Sequence, residues 1–232
     1  MKIAVLHGQN HKGITYHTTQ MVLDPLRGPD TQVEDFYFVD ATACAGCFQC
    51  FFKGENACPH AEQNAAIIAA LEQADVIVLE SPTYCMGMAG QLKVFLDHMG
   101  YRWIPHRPHP AMFHKVGLCV STTAGAGAKK VAKDMAQHLF FWGVPRTFRL
   151  GLALQATSWA EIPAEKKEKI RRKAEKIARK IRKGPHPTAG IKTRIVFSFV
   201  RLMQKKGVWL NKTDRAHWEQ QGWLDNARPW KG

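Results

Sequence analysis

Over its first 150 residues the chain alternates short apolar runs with amphipathic stretches, and this alternation restricts its fold more than any other feature. The runs Ile3-Ala4-Val5-Leu6, Val33 to Val39, Val76-Ile77-Val78-Leu79 and Val116 to Val120 have strand length, with a fifth candidate at Thr147 to Leu154. Helical patterns lie between them at Thr15 to Pro25, Ala61 to Gln73, Met88 to Met99 and Gly127 to Trp142. Strand and helix repeated in this way predict an α/β fold, a parallel sheet covered on both faces. Right-handed crossovers leave only a few doubly wound orders.

A chain of 232 residues that is 45% hydrophobic has enough apolar material for a core without covalent staples. Its six cysteines therefore call for a chemical explanation. Met1 to Gly8 lacks the charged region and cleavage site of a secretory leader, and no apolar run is long enough to span a membrane. The expectation is a cytoplasmic protein in a reducing compartment.

Charge divides the chain. Residues 1–150 carry 13 basic and 12 acidic groups, whereas residues 151–232 carry 20 and 7, so almost all of the net +14 lies in the C-terminal third. From Pro163 to Lys183, Ile170, Ala174, Ile177 and Ile181 form one helical stripe among 11 Lys/Arg and 3 Glu. Glu165–Lys169, Glu168–Arg172 and Glu175–Arg179 have the i,i+4 spacing of helical ion pairs. Gly184-Pro185-His186-Pro187 ends that helix. A second basic amphipathic stretch follows at Ile191 to Lys206, then a tail with Trp209, Trp218, Trp223 and Trp230. The expected division is residues 1–155 as the α/β unit and 156–232 as a basic helical extension packed on it or on a sister subunit.

In a doubly wound sheet, ligands sit at the carboxyl ends of the strands, so the loops there are the candidate site. Gly8-Gln9-Asn10-His11-Lys12-Gly13-Ile14-Thr15 follows the first strand and opens a helix, where free amides and the positive helix end suit a phosphate. It is neither a Walker A loop nor Gly-x-Gly-x-x-Gly. Ser81-Pro82-Thr83-Tyr84-Cys85-Met86-Gly87-Met88 follows the third strand and can offer amides to the edge of a flat ring and side chains to its face. Ser121-Thr122-Thr123-Ala124-Gly125-Ala126-Gly127 follows the fourth and supplies hydroxyls.

Gly8 to Thr15, the segment Cys44-Ala45-Gly46-Cys47-Phe48-Gln49-Cys50, and Ser81-Pro82-Thr83-Tyr84 followed by Gln91-Leu92-Lys93-Val94-Phe95-Leu96-Asp97 resemble the flavodoxin-fold NAD(P)H-dependent FMN reductases, including their iron-sulfur flavoprotein branch. The resemblance covers about residues 1–155. It implies a flavodoxin-like five-stranded sheet of order 2-1-3-4-5, FMN as cofactor, NAD(P)H as co-substrate, and a homodimer or tetramer whose subunits complete each other's pockets. Gln9, His11 and Thr15 would surround the FMN phosphate. Pro82, Thr83, Tyr84, Met86 and Gly87 would line the isoalloxazine, and Thr122, Thr123 and Gly125 would close the other side. No side chain is expected to act as catalyst, because the chemistry lies on flavin N5. Where the family reads Gly-Ser-Pro-Arg, Gln9-Asn10-His11 replaces the last three residues, which removes a guanidinium from the phosphate site.

Cys44, Cys47, Cys50 and Cys58 have the spacing C-x2-C-x2-C-x7-C. That spacing suits a loop wrapped around a 4Fe–4S cluster, although zinc or free redox-active thiols fit it too. Cys119 falls inside a strand and reads as core, and Cys85 is expected to pack rather than react.

The basic tail admits three roles: packing on its own sheet or a sister subunit, contact with an anionic membrane, or nucleic-acid binding. For the second, Ile191, Ile195, Val196, Phe199, Leu202 and Met203 would form one insertable face. No recognised motif supports the third.

The functional expectation is an FMN-dependent oxidoreductase that takes hydride from NAD(P)H and delivers electrons to a quinone-like, nitro, azo or protein acceptor. The alternative is a non-enzymatic flavin and iron-sulfur electron-transfer protein.

Overall fold

The computed structural model describes residues 1–232 except Val39, Trp209, Leu210 and Gly232. Five parallel strands form the sheet: β1 (Lys2–His7), β2 (Gln32–Tyr37), β3 (Val76–Tyr84), β5 (Val116–Thr123) and β6 (Arg146–Ala153). A two-residue strand, β4 (Gly87–Met88), folds back antiparallel on the end of β3. The order β2-β1-β3-β5-β6 is the expected 2-1-3-4-5 once β4 is set aside. The predicted second strand is observed to Tyr37, and its last predicted residue, Val39, lies outside the described residues.

Side-chain alternation along each strand builds two cores. Ile3, Val5, Val76, Val78, Val116, Leu118 and Val120 face α1 (Ile14–Leu23) and α6 (Ala164–Lys183). Ala4, Leu6, Ile77, Leu79 and Cys119 face α3 (Ala61–Gln73), α4 (Gly90–His98) and α5 (Ala128–Trp142). A short helix, α2 (Gln49–Phe52), lies within the cysteine segment. Three helix starts differ from the sequence reading, that of α5 only by one residue, at Ala128 after the left-handed Gly127. Gly13 is extended and delays nothing beyond itself, so α1 begins at Ile14, and Asp24-Pro25-Leu26 tightens into a 3-10 turn at its other end. Gly87 and Met88 pair with β3, so α4 starts at Gly90.

The extension supplies part of the cover of the core that faces α1. Ile170, Ala174, Ala178 and Ile181 of α6 are buried, while Ile177 is half-buried on the same side. The pairs Glu165–Lys169 and Glu168–Arg172 form, whereas among the described residues Glu175–Arg179 does not. α7 (Ile191–Lys205) and α8 (Lys212–Gln220) fold around a separate aromatic cluster, where Phe197, Trp218 and Trp223 pack on Ile104 and Phe113, with Trp230 at its edge. Trp209 lies outside the described residues. Val196 and Met203 do not join the outer face of α7, because both are half-buried at its sides. No helix among the described residues is long and apolar enough to cross a membrane.

Candidate functional site

The first loop is held by a close approach of backbone to backbone. Gly8 N–H donates to Glu80 O at 2.8 Å, and a Cβ on Gly8 would itself stand 2.8 Å from that oxygen, so no larger residue fits. At Gly13, the start of α1 has no side-chain cap and no acidic residue in its first turn. Its leading amides lack intrahelical partners and carry the positive end of the helix dipole. The side chains of His11 and Gln9 flank this terminus. A Cβ on Gly13 would lie 2.9 Å from His11 Nε2 and 3.2 Å from Gln9 Nε2. Gln9 is buried and His11 exposed.

Hydroxyls join the three loops. Thr15 and Thr122 share a hydrogen bond of 2.7 Å, Thr83 and Ser121 one of 3.0 Å, and Ala89 N–H donates to Ser81 Oγ at 2.8 Å. Gly125 N–H donates to Thr123 Oγ1 at 3.2 Å within the third loop. A Cβ on Gly127 would lie 3.1 Å from both Met86 Sδ and Thr83 Cγ2, which places the second loop's tip against the third.

That tip is a two-residue hairpin between Tyr84 and Gly87, with Cys85 at φ 47° and Met86 at φ 63°. Two successive left-handed residues are the geometry of a type I′ turn, normally built from Asn and Gly. A branched or long side chain there carries strain that clusters at functional sites. The turn lifts Tyr84 and Met86 half out of the protein. Cys85 is lifted with them, so it is exposed and does not pack as expected. Pro82 is buried under the loop, behind the more exposed members of the predicted ring-lining set. A shallow cavity of about 410 Å³ brings Gln9, Asn10 and His11 together with Tyr84, Ala89, Gly90 and Gln91. Of these, only Gln9, His11 and Tyr84 were among the expected flavin contacts; Thr15, Pro82, Thr83, Met86, Gly87, Thr122, Thr123 and Gly125 do not line it.

Beneath the first loop lies a buried ionic group absent from the sequence reading. His7 is fully buried, with Nδ1 2.6 Å from Glu80 Oε1 and Nε2 2.8 Å from Asp35 Oδ1, and its ring stacks on Tyr37 at 4.3 Å. Burial alone would lower its pKa. The hydrogen bonds to Asp35 and Glu80, with their charges, outweigh that and raise it to about 9. Asp35 is held below its ordinary value by the hydrogen bond from His7. Glu80 Oε2 is buried without a partner. The one signal available was a polar residue closing each of two apolar strands.

Cys44, Cys47, Cys50 and Cys58 line one cavity of about 340 Å³ with His60 and His98. Left-handed residues at Gly46, Phe48 and Gly54 wrap the chain around it. Burial, then the charges of Cys58, Cys44 and Cys47, raise the Cys50 thiol pKa. Among the described residues no three His, Cys, Asp or Glu converge on a single-ion site. The four thiols are free and share this one cavity. His98, in the wall of the same cavity, is buried, donates from Nε2 to Thr42 O at 2.8 Å and leaves Nδ1 without a partner. Cys119 is buried in the core as expected, and burial raises its pKa far above the ordinary value.

The extension fastens this segment. Arg107, buried, donates to Cys50 O and pairs with the fully buried Asp214 of α8. Asn211 Nδ2 and Thr213 Oγ1 donate to Phe51 O and Phe52 O, each at 2.8 Å. His106 Nδ1 lies 2.7 Å from the other Asp214 oxygen. The Tyr101–Pro110 loop thus braces the cysteines from below.

Residues 1–154 match the family model for NADPH-dependent FMN reductases. The chain belongs to this family. An iron-sulfur flavoprotein of Archaeoglobus fulgidus is 30% identical over 60% of this chain and 58% of its own length. One from Methanocaldococcus jannaschii is 29% identical over 54% of this chain and 64% of its own. The chain therefore spans about three-fifths of the curated relatives it matches. Among solved structures, an azoreductase from Bacillus anthracis superposes with a TM-score of 0.56 at 15% identity, covering 78% of this chain and 99% of that one, a likeness of fold. The uncapped helix start, the glycine cradle and the hydroxyl-lined loops fit FMN, the family's cofactor.

Proposed function

We propose that the protein is an FMN-dependent NAD(P)H oxidoreductase, with residues 1–155 as the flavin-binding unit. The observation that carries this reading is the meeting of three strand-end loops around the uncapped start of α1, beside the half-exposed Tyr84 and Met86. When bound, FMN supplies hydride acceptance at N5 and onward delivery of electrons.

This chain's own residues bind and orient. Gln9, His11, Thr15 and the first-turn amides of α1 hold the phosphate, and Thr122 positions Thr15 through their shared hydrogen bond. Thr83, Tyr84, Met86 and Gly87 form one wall for the ring, with Pro82 supporting them from beneath, and Thr123 and Gly125 border the other side. Tyr84 and Met86 restrict how a nicotinamide approaches, which matters because hydride transfer needs near-contact geometry. His11 stands where the family carries arginine, so the phosphate lacks a fixed bidentate guanidinium partner there. Exposed Phe48, Phe52, Tyr84 and Met86 leave apolar surface around both sites, which supports association of two copies there.

The four-cysteine cavity favours a second reading, in which Cys44, Cys47, Cys50 and Cys58 hold an iron-sulfur cluster and the protein passes single electrons between partners. One experiment tests both. Protein purified without oxygen is assayed for flavin absorbance, iron and sulfide, then mixed with NADPH or NADH. Flavin bleaching by either nucleotide supports the oxidoreductase. Bound flavin that only a ferredoxin-like donor reduces would favour the carrier, and a colourless protein that takes up no FMN would defeat both. Cys47→Ser should remove iron while leaving flavin content unchanged.

A further inference from the structure

The outer face of α7 has no partner among the described residues. Ile191, Ile195, Phe199 and Leu202 are 79%, 63%, 62% and 50% exposed. At about 100° per residue these four fall within an arc of about 80°. On the opposite side Thr193, Phe197, Val200 and Gln204 are buried and fasten the helix to the aromatic cluster. The exposed stripe is therefore not a core face awaiting a better fold; the same helix already has a core face.

The charge around the stripe selects its occupant. Lys192 flanks it on one side, and Arg194 and Lys205 on the other, with Lys206 following at the helix end. From Lys176 to Thr213 the chain contains 11 Lys/Arg and no Asp or Glu. Beside α7 a groove of about 610 Å³ runs along α5, lined by Lys133, Arg149 and Lys192 together with Phe140, Phe141 and Val196. A second copy docked on this face would bring like charges together without an acidic residue to offset them. Nucleic acid would meet the cations but leave four large apolar side chains against phosphate.

We propose that α7 lies in the plane of an anionic lipid bilayer surface, with Ile191, Ile195, Phe199 and Leu202 among the acyl chains. The flanking lysines and arginines, and the groove beside Lys133 and Arg149, take the lipid phosphates. An in-plane helix needs an apolar strip about one side chain deep bordered by cations, and α7 has both while its inner face stays anchored in the protein. The inference does not depend on the flavin reading.

The test is flotation of the full-length protein with vesicles of equimolar phosphatidylcholine and phosphatidylglycerol, and with pure phosphatidylcholine, at low and high salt. Binding to the anionic vesicles that weakens with salt is expected. Ile195→Glu with Phe199→Glu should lower partitioning at least about tenfold, since two large apolar groups no longer leave water. Lys205→Glu with Lys206→Glu should lower it several-fold and flatten the salt dependence. All four positions are exposed, so circular dichroism and thermal midpoint should stay as in the parent. No anionic-vesicle binding by the parent, or binding that neither double variant weakens, overturns the proposal. So does a lipid-free dimer, seen by light scattering, that Ile195→Glu with Phe199→Glu converts to monomer, because the face would then belong to a second copy.

Discussion

The buried group under the first loop makes a quantitative prediction about stability and pH. His7 titrates at about 9 in the folded protein against 6.5 in the unfolded chain. The folded state thus holds a proton that the unfolded state releases, and a difference of about 2.5 units at ~1.4 kcal/mol each amounts to roughly 3 kcal/mol. Because the folded value is the higher one, this stabilisation is complete below pH 6.5 and disappears as pH rises through 9. Lys115 works in the opposite sense: burial lowers its pKa to about 8, so its contribution improves as pH rises from there toward 10.5. The comparison must therefore be between the parent and His7→Phe at each pH. Urea midpoints at pH 6, 7.5 and 9.5 should show the parent losing roughly 3 kcal/mol relative to the trend of the variant. The variant should also be less stable at every pH, since the buried Glu80 loses its partner. Parallel pH trends for the two proteins, or a His7 imidazole that titrates near 6.5 by NMR, would refute the argument.

Two further substitutions probe the two sites separately. Gly8→Ala places a methyl group 2.8 Å from a backbone oxygen that cannot yield, so it should cost about 1–3 kcal/mol in urea unfolding and weaken FMN binding in a fluorescence titration, while leaving iron content alone. Asp214→Asn leaves buried Arg107 with only the half-exposed Glu55 carboxylate, 3.4 Å from its Nε, so it should cost up to about 3 kcal/mol and lower iron and sulfide content with flavin retained; unchanged iron would show that the brace under the cysteines is dispensable.

These two substitutions also mark the line between what could be read in the sequence and what could not. Gly8, Thr15, Thr83 and Thr122 were legible because each lies in a loop closing an apolar run, and the α/β alternation fixes which end of the sheet those loops share. The helical stripe of α6 was legible for a similar reason, since its periodicity is a local property. His7, Asp35 and Glu80 meet through strand register, and no local pattern reports that residue 7 stands between residues 35 and 80. The brace from Asp214 to Arg107 and Cys50 spans still more of the chain, and neither charge differs locally from a solvated one. The left-handed turn at Cys85-Met86 was hidden for another reason: its residues are the wrong ones for the turn they make, so propensity argued against it.

The same distinction bears on how the extension joins the family fold. Residues 1–154 carry the family match, yet polar partners of the cysteine segment come from beyond it, Asn211 and Thr213 directly and Asp214 through Arg107. A loop of 15 residues from Cys44 to Cys58, wrapped by three left-handed residues and containing only one short helix and the 3-10 turn Glu55–Ala57, has little regular backbone hydrogen bonding of its own. Its carbonyls at Cys50, Phe51 and Phe52 are satisfied by Arg107, Asn211 and Thr213 instead. Removing α8 would leave those acceptors to water and Arg107 without Asp214, so the geometry of the four thiols depends on the extension as much as on the motif that supplies them.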